Sequence, residues 1–220
     1  MATKFAYHPG NVAHSSATEV AQTMDPAMRS LGITLVPMKG ATSCGAGIIR
    51  QANENLQITL NARNFAIAES MGLDIITPCA ATAGNLHEDL TSLKEDPLLL
   101  AKTNEVLQKT SGLTLKGDLR IHHLLHVLVD EIGLDKVESK LRNPLRFPIA
   151  GYYGPNIQQE GACGGDDVFD PCYMELLIDS LGGTPINWES RTQSVGVPGL
   201  YSEEPTVLKQ VASVISDAKT

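Results

Sequence analysis

Aromatic side chains are scarce in this chain, 5% of its 220 residues with a single tryptophan. A core built without them must be aliphatic, and the hydrophobic fraction of 42% is enough for one globular unit or two tightly joined halves. Positive charge is also short, 17 Lys and Arg against 25 Asp and Glu for a formal net charge of -8. That balance argues against a nucleic-acid or general phosphate-binding surface. Cysteine is limited to Cys44, Cys79, Cys163 and Cys172, scattered through a chain long enough to fold without staples, so a secreted disulfide framework is not expected. The longest apolar stretch, Ile121 to Ile132, is broken by His122, His123, His126 and Asp130, far short of the roughly 20 apolar residues of a membrane span. The opening MATKFAYHPG lacks the charged region and apolar run of a secretory signal. A cytoplasmic location is the expectation.

What is present alternates between strand and helix signals, the pattern of a parallel sheet with packed helices. Strands are expected at Lys4–Tyr7, Ile33–Val36 and Leu73–Thr77, then at Phe147–Tyr152 and Pro185–Trp188. Ser16 and Glu19 have the spacing of a capping box opening a helix toward Gly32, which Pro26 should bend or split. Helices are also expected from about Ile58 to Met71, from Pro78-Cys79 onward, from Pro97 to Thr110, and over residues 121–133. Later ones run from Pro171 to Leu181 and onward from Ser202, the last with Val207, Val211, Val214 and Ile215 on one face.

Laying residues 1–47 over 147–200 reveals an internal repeat. In the first copy a strand runs into Tyr7-His8-Pro9-Gly10-Asn11 and its successor leads to Ser43-Cys44-Gly45. The second runs into Tyr152-Tyr153-Gly154-Pro155 and leads to Ser194-Val195-Gly196. The gaps, 32 residues from Asn11 to Ser43 and 39 from Pro155 to Ser194, differ by a loop. The expected architecture is α/β, with two Rossmann-like strand-helix halves on parallel sheets, residues 1–144 and a truncated second half over 145–220, joined as one compact unit.

The words FAYHPGNVAHSSATE, SCGAG, NARNFAIAESMGLDIITPCAA, LKEDP and HHLLHVLVDEIGLDKVESKLRNPL, with the weaker YYG and SLGGTPI, cover roughly three-quarters of the chain. In order and spacing they resemble the B subunit of heterodisulfide reductase and its cysteine-rich-domain relatives. In that family each half carries Pro-Gly-Cys, Cys-Cys-Gly and Cys-x-x-Cys, whose five thiolates hold a non-cubane [4Fe-4S] cluster that cleaves or forms a disulfide. Carried over, the resemblance puts Asn11, Ser43, Cys44, Cys79 and Thr82 at the ligand positions of the first half. Pro155, Ser194 and Val195 stand at those of the second. Clusters want soft thiolates, and Asn, Ser and Thr are poor substitutes, so the cluster is expected to be absent or atypical. The family's context implies heterodisulfide-reductase-like A, B and C subunits as partners, a lipoate-bearing carrier in the sulfur-oxidising version, and oxidoreductase activity of the complex.

The residues alone mark the same place. Asn11, Cys44 and Cys79 each follow an expected parallel strand, and such sheets bind ligands at the carboxyl ends of their strands. Cys79 falls at a helix N-terminus and Cys44 in a Gly-rich turn, settings that favour thiolate. One reading is a reactive pair, Cys44 and Cys79, exchanging with a disulfide or persulfide; the other is that both are buried as small apolar side chains. A zinc site from His8, His14, His87, Cys44 and Cys79 is a further alternative. His122 and His126 have the spacing of helical ligands without the intervening Glu of a metalloprotease. Cys163 and Cys172 read as incidental, and Asp166-Asp167 as a solvated turn. Gly40 to Gly47 has no Gly-Lys-Ser/Thr, and no nucleophile elbow occurs. A redox subunit and a cluster-free module that docks partners or a carrier both remain open.

Overall fold

The computed structural model describes residues 3–11, 13, 16–45, 48–159, 161–162 and 164–219; His14 and Cys163 lie outside them. Two compact units divide the chain at Leu124–Leu125. The first contains β1 (Thr3–Tyr7), α1 (Thr18–Ser30), β2 (Ile33–Pro37), α2 (Ile48–Ala52), α3 (Glu54–Ser70), β3 (Ile75–Thr77), α4 (Ala80–Glu95), α5 (Pro97–Ser111) and β4 (Ile121–His123). Its four strands are all parallel in the order β2-β1-β3-β4, with Thr3 beside Ile33, Ala6 beside Ile75, and Ile75 beside Ile121. The chain steps from β1 to β2 on one side and then to β3 on the other. The crevice above the carboxyl ends of β1 and β3 is therefore a topological switch point, where open parallel sheets take their ligands. The core under it, aliphatic apart from Phe65, contains Ala6, Ile58, Ile75, Leu86, Leu93, Leu107 and Leu115.

Local chemistry sets the helix ends. The Asn53 side chain accepts from the Leu56 N–H to start α3, and Asp96 accepts from Leu98 and Leu99 to start α5, with Pro97 in its first turn. Gly112 closes α5 at φ 67°. Other expectations shift. The helix α1 begins after Ala17 with no side-chain cap, so the Ser16–Glu19 box does not form, and it runs through Pro26 unsplit. The helix expected over 121–133 begins as a strand instead: Ile121 to His123 pair with β3, and the helical turn α6 (Leu124–His126) and a π-helical turn (Val127–Ile132) follow. A vacant edge of buried β3 outweighs the helical spacing of the leucines, because pairing satisfies backbone groups that would otherwise be stranded.

The second unit, Leu125 onward, holds the π turn, α7 (Leu134–Ser139), β5 (Pro148–Ala150), α8 (Tyr173–Ser180), β6 (Thr184–Ile186), 3-10 turns at Glu189–Thr192 and Val197–Gly199, and α9 (Glu204–Asp217). Strands β5 and β6 pair in parallel, Pro148 beside Thr184, so the β-α-β order of β1-α1-β2 recurs. The acidic loop before α8 is not a solvated turn throughout. Asp166 is buried and accepts from the Cys172 and Tyr173 N–H groups at 2.8 and 3.2 Å, satisfying donors at the start of α8. Val207 and Val214 of α9 are buried, whereas Ile215 faces solvent.

Candidate functional site

Three segments meet at the switch point: the loop after β1, the loop after β2, and the first turn of α4 after β3. Asn11 is the hub. Its Oδ1 accepts from the Ser43 hydroxyl at 2.7 Å, and its Nδ2 donates to Cys44 Sγ at 3.3 Å. Cys44 Sγ also lies 3.4 Å from Thr82 Oγ1, and the Ser43 hydroxyl accepts from the Gly45 N–H at 3.1 Å. Cys44 is 1% exposed and Thr82 fully buried, so this thiol sits behind Asn11 and Ser43 rather than at the surface. Cys79 is half-buried and stands at the N-cap of α4 with no side-chain cap bond. Its N–H donates to Thr77 Oγ1 at 3.2 Å. Gly10, at φ 86°, makes room for it: a Cβ there would come within 2.5 Å of Cys79 Cβ. Of the five predicted positions, Asn11, Ser43, Cys44 and Thr82 are thus hydrogen-bonded together, with Cys44 and Thr82 buried behind the other two and Cys79 beside Gly10.

His8 anchors the first loop. Fully enclosed, its Nδ1 accepts from the Gly10 N–H at 3.1 Å, which leaves Nε2 to donate to the Thr42 carbonyl at 3.0 Å. Burial holds its pKa below the ordinary 6.5 despite those backbone contacts, so the neutral ring is the form that fits. With both nitrogens committed, His8 has none to give a metal, and the zinc set loses its first member. His122 lies on β4, edge-on to Phe5 and 3.6 Å from the Asp74 carboxylate, so its spacing with His126 is not that of one helix face.

Sequence reasoning missed the layer that carries the Cys44 loop. Gln57, Asn61 and Asn64, at i, i+4 and i+7 of α3, are all fully buried. Asn64 binds both polar groups of the Thr42 backbone, at 2.9 and 3.0 Å, and Asn61 donates to the Cys44 carbonyl at 3.1 Å and to Asp89. Asp89 of α4, also fully buried, takes Gln57 and the Arg50 guanidinium as further partners. Burial pushes its carboxyl up, against the opposing pull of Asn61, Arg50 and Gln57. Three amides on one helical stripe beside an apolar one were the available signal. Next to the site, Tyr7, Pro9, Pro37, Met38, Ala41 and Ser43 line an open cleft of about 480 Å³ at the carboxyl ends of β1 and β2.

The second unit repeats this loop geometry with different chemistry. Tyr152, two residues before Gly154 as His8 is before Gly10, donates from its hydroxyl to the Gln193 carbonyl at 2.6 Å, matching the bond from His8 to Thr42. The Ser194 hydroxyl accepts from the Gly196 N–H at 3.1 Å, as Ser43 does from Gly45. Pro155 and Val195 stand where Asn11 and Cys44 do, and neither offers a donor or a thiol. Cys172 is exposed beside Asp166, Glu175 and Asp170; partial burial and these carboxylates push its thiol up, away from thiolate.

Comparisons with known proteins reach the same segment of the chain. The cysteine-rich domain family matches residues 5–86, a span that includes all five crevice positions. The chain is 28% identical over 176 residues to the B subunit of the ferredoxin/F(420)H(2)-dependent CoB-CoM heterodisulfide reductase of Methanosarcina acetivorans, a match that covers 78% of this chain and 58% of that one. It is also 28% identical over 225 residues to the 8-methylmenaquinol:fumarate reductase membrane anchor subunit of Wolinella succinogenes, 99% of this chain and 76% of that one. A crystal structure of a hypothetical protein from Helicobacter pylori superposes with a TM-score of 0.71 at 15% identity, covering 96% of this chain and 38% of the other, which speaks to the fold alone. The chain spans somewhat under three-fifths of the length of the Methanosarcina protein. The relatives it resembles are reductase subunits, and its residues 5–86 match the cysteine-rich domain family.

That family implies an iron-sulfur cluster at the crevice. Two of the five positions supply sulfur here. The amide of Asn11 and the hydroxyls of Ser43 and Thr82 are hard, neutral donors, turned onto one another and onto Cys44 rather than toward a common centre. Among the described residues no three His, Cys, Asp or Glu side chains are grouped to hold a metal ion. The donor set does not fit a cluster held by five thiolates.

Proposed function

We propose that this chain is a B-like component of a heterodisulfide-reductase-like complex in thiol/disulfide metabolism of sulfur, and that it serves there without the cluster its relatives imply. The observation that carries the reading is the closed network of Asn11, Ser43, Cys44 and Thr82 at the ligand positions. In this role it docks an intact B-like or a C-like iron-sulfur partner, with a flavin-containing A-like protein in the same assembly and a lipoate-bearing carrier as visitor. The apolar cleft beside Asn11 and Ser43 supports the carrier, because a thin acyl-type arm fits a volume of this size. The cytoplasm is the compartment we assign; none of the described helices is long and apolar enough to cross a membrane. The test is anaerobic co-expression with intact B-like and C-like partners. Stable co-purification and loss of complex activity when the chain is omitted are expected, and a chain that stays alone in their presence overturns the proposal.

A second reading keeps chemistry on the thiols and makes Cys79 its centre, because Cys79 is reachable at a helix N-cap whereas Cys44 is enclosed. Thiolate formed at Cys79 would attack a disulfide or persulfide sulfur, breaking that S–S bond and releasing one sulfur as thiolate or sulfide; Cys44, after the crevice opens, would then displace the other, leaving a Cys44–Cys79 disulfide, the thiol pair supplying the two electrons. Unchanged complex activity in the Cys79→Ala variant rejects this reading and leaves the docking role.

A further inference from the structure

We infer that the hydrogen-bonded set Asn11, Ser43, Cys44 and Thr82 has taken over the structural work of a cluster, tying three loops together by the protein's own bonds and making the fold of the first unit independent of iron. The inference rests on the cluster-free reading above and deepens it. A cluster held at these positions would cross-link the loop after β1, the loop after β2 and the start of α4. The bonds present cross-link the same three: Asn11 to Ser43 at 2.7 Å and to Cys44 at 3.3 Å joins the first two loops, and Cys44 to Thr82 at 3.4 Å joins the second to α4. Asparagine suits the hub because its side chain both accepts and donates, so it can take the Ser43 proton and give one to Cys44 at once. A lone cysteine at that position could do neither well.

Two further features show that the ties are built from below as well as across. The amides of Asn61 and Asn64 grip the backbone of Thr42 and Cys44, so the second loop is fixed without any group in the crevice. In the second unit the equivalent loops are held by Tyr152 to Gln193 and by the Ser194 turn, with no thiol at either position. A scaffold that closes its loops this way once, with no thiol, can do so at the first site too.

The test uses the isolated full chain, anaerobically purified. Wild type is expected to melt at the same temperature with and without an iron chelator, and to retain no iron after incubation with ferrous iron and inorganic sulfide. Asn11→Ala and Thr82→Val should each lower the melting temperature by roughly 2–6 °C, the loss of an exposed and a part-buried hydrogen bond in the first and of one buried bond in the second. The Asn11→Cys/Ser43→Cys/Thr82→Cys variant should lose that stability as purified, then take up iron and sulfide, gain visible absorption and recover its melting temperature. Stoichiometric iron and sulfide in wild type, melting temperatures of Asn11→Ala and Thr82→Val equal to wild type, or a triple variant that takes up no iron would each overturn the inference. Iron in wild type would also remove the cluster-free half of the proposed function, unchanged melting temperatures in the variants would overturn this inference alone, and failure to co-purify with partners would overturn the docking role alone.

Discussion

The β1-α1-β2 segment of the first unit and the β5-α8-β6 segment of the second are the same device with different contents. Each has a parallel strand pair, a side chain two residues before a positive-φ glycine that clamps a carbonyl, and a serine whose hydroxyl accepts from the glycine two residues on. In the first copy those loops meet Asn11, Cys44, Thr82 and a buried polar layer from α3 and α4; in the second they meet Pro155 and Val195. The difference teaches that loop geometry and site chemistry are separable here. The backbone turn survives on one hydroxyl and one glycine, while everything that makes the first crevice a site comes from side chains added around it.

Removing the polar layer should separate the two copies most. Asn61→Leu strips the Cys44 carbonyl and Asp89 of a partner inside the protein and should cost about 3 kcal/mol, against little for a matched surface change in the second unit. Urea unfolding with a probe in each unit reads the contrast; equal losses in both units would erase it. Acid should come next. Because burial depresses the His8 pKa, the unfolded chain takes up a proton below about 6.5 that the folded one refuses. The first unit should therefore lose stability as pH falls from 6.5, at up to about 1.4 kcal/mol per pH unit until the folded ring titrates. Tyr152, which fills the same place in the second copy, gives no such slope. Stability of the His8→Gln variant measured at pH 7.5 and 5.5 should show the slope removed, and a slope that persists would assign it elsewhere.

The remaining effects are smaller. Tyr152→Phe removes the half-exposed bond to the Gln193 carbonyl and should cost about 0.5–1 kcal/mol, visible in the second unit alone. Smallest is the response of the thiols to brief alkylation of the native protein: Cys79 should react, Cys172 more slowly at neutral pH because its thiol is pushed up, and Cys44 only on unfolding. Rapid labelling of Cys44 would show that the crevice opens readily.

Much of this was legible in the linear pattern. The strand-helix alternation and the α5 helix expected from Pro97 to Thr110 rest on residues close in sequence, whose effect on the backbone is local. The failures share another cause. Ile121 to His123 pair as a strand because β3 offers an edge forty-six residues away, and no window around Ile121 contains that edge. Gln57, Asn61 and Asn64 find partners in the Thr42–Cys44 loop and on α4, far from them in sequence. The Asp166 carboxylate reads as solvated until it is seen turned onto the N–H groups that open α8.

Sequence by itself determined that the core is largely aliphatic, that Asn11, Cys44 and Cys79 follow parallel strands, and that Asn11, Ser43 and Thr82, three of the five positions the resemblance marks, are not thiols. Residue identity and period suffice for each of these, since composition limits what a core can contain and period limits where strands end. Only the tertiary structure decided what the non-thiols do. Whether Asn11 faces solvent, a metal or a neighbour depends on how far apart the loops after β1, β2 and β3 come to rest, and that distance is set by sheet order and by amides beneath the loops. At 2.7 to 3.4 Å the three loops are close enough to bond to one another directly.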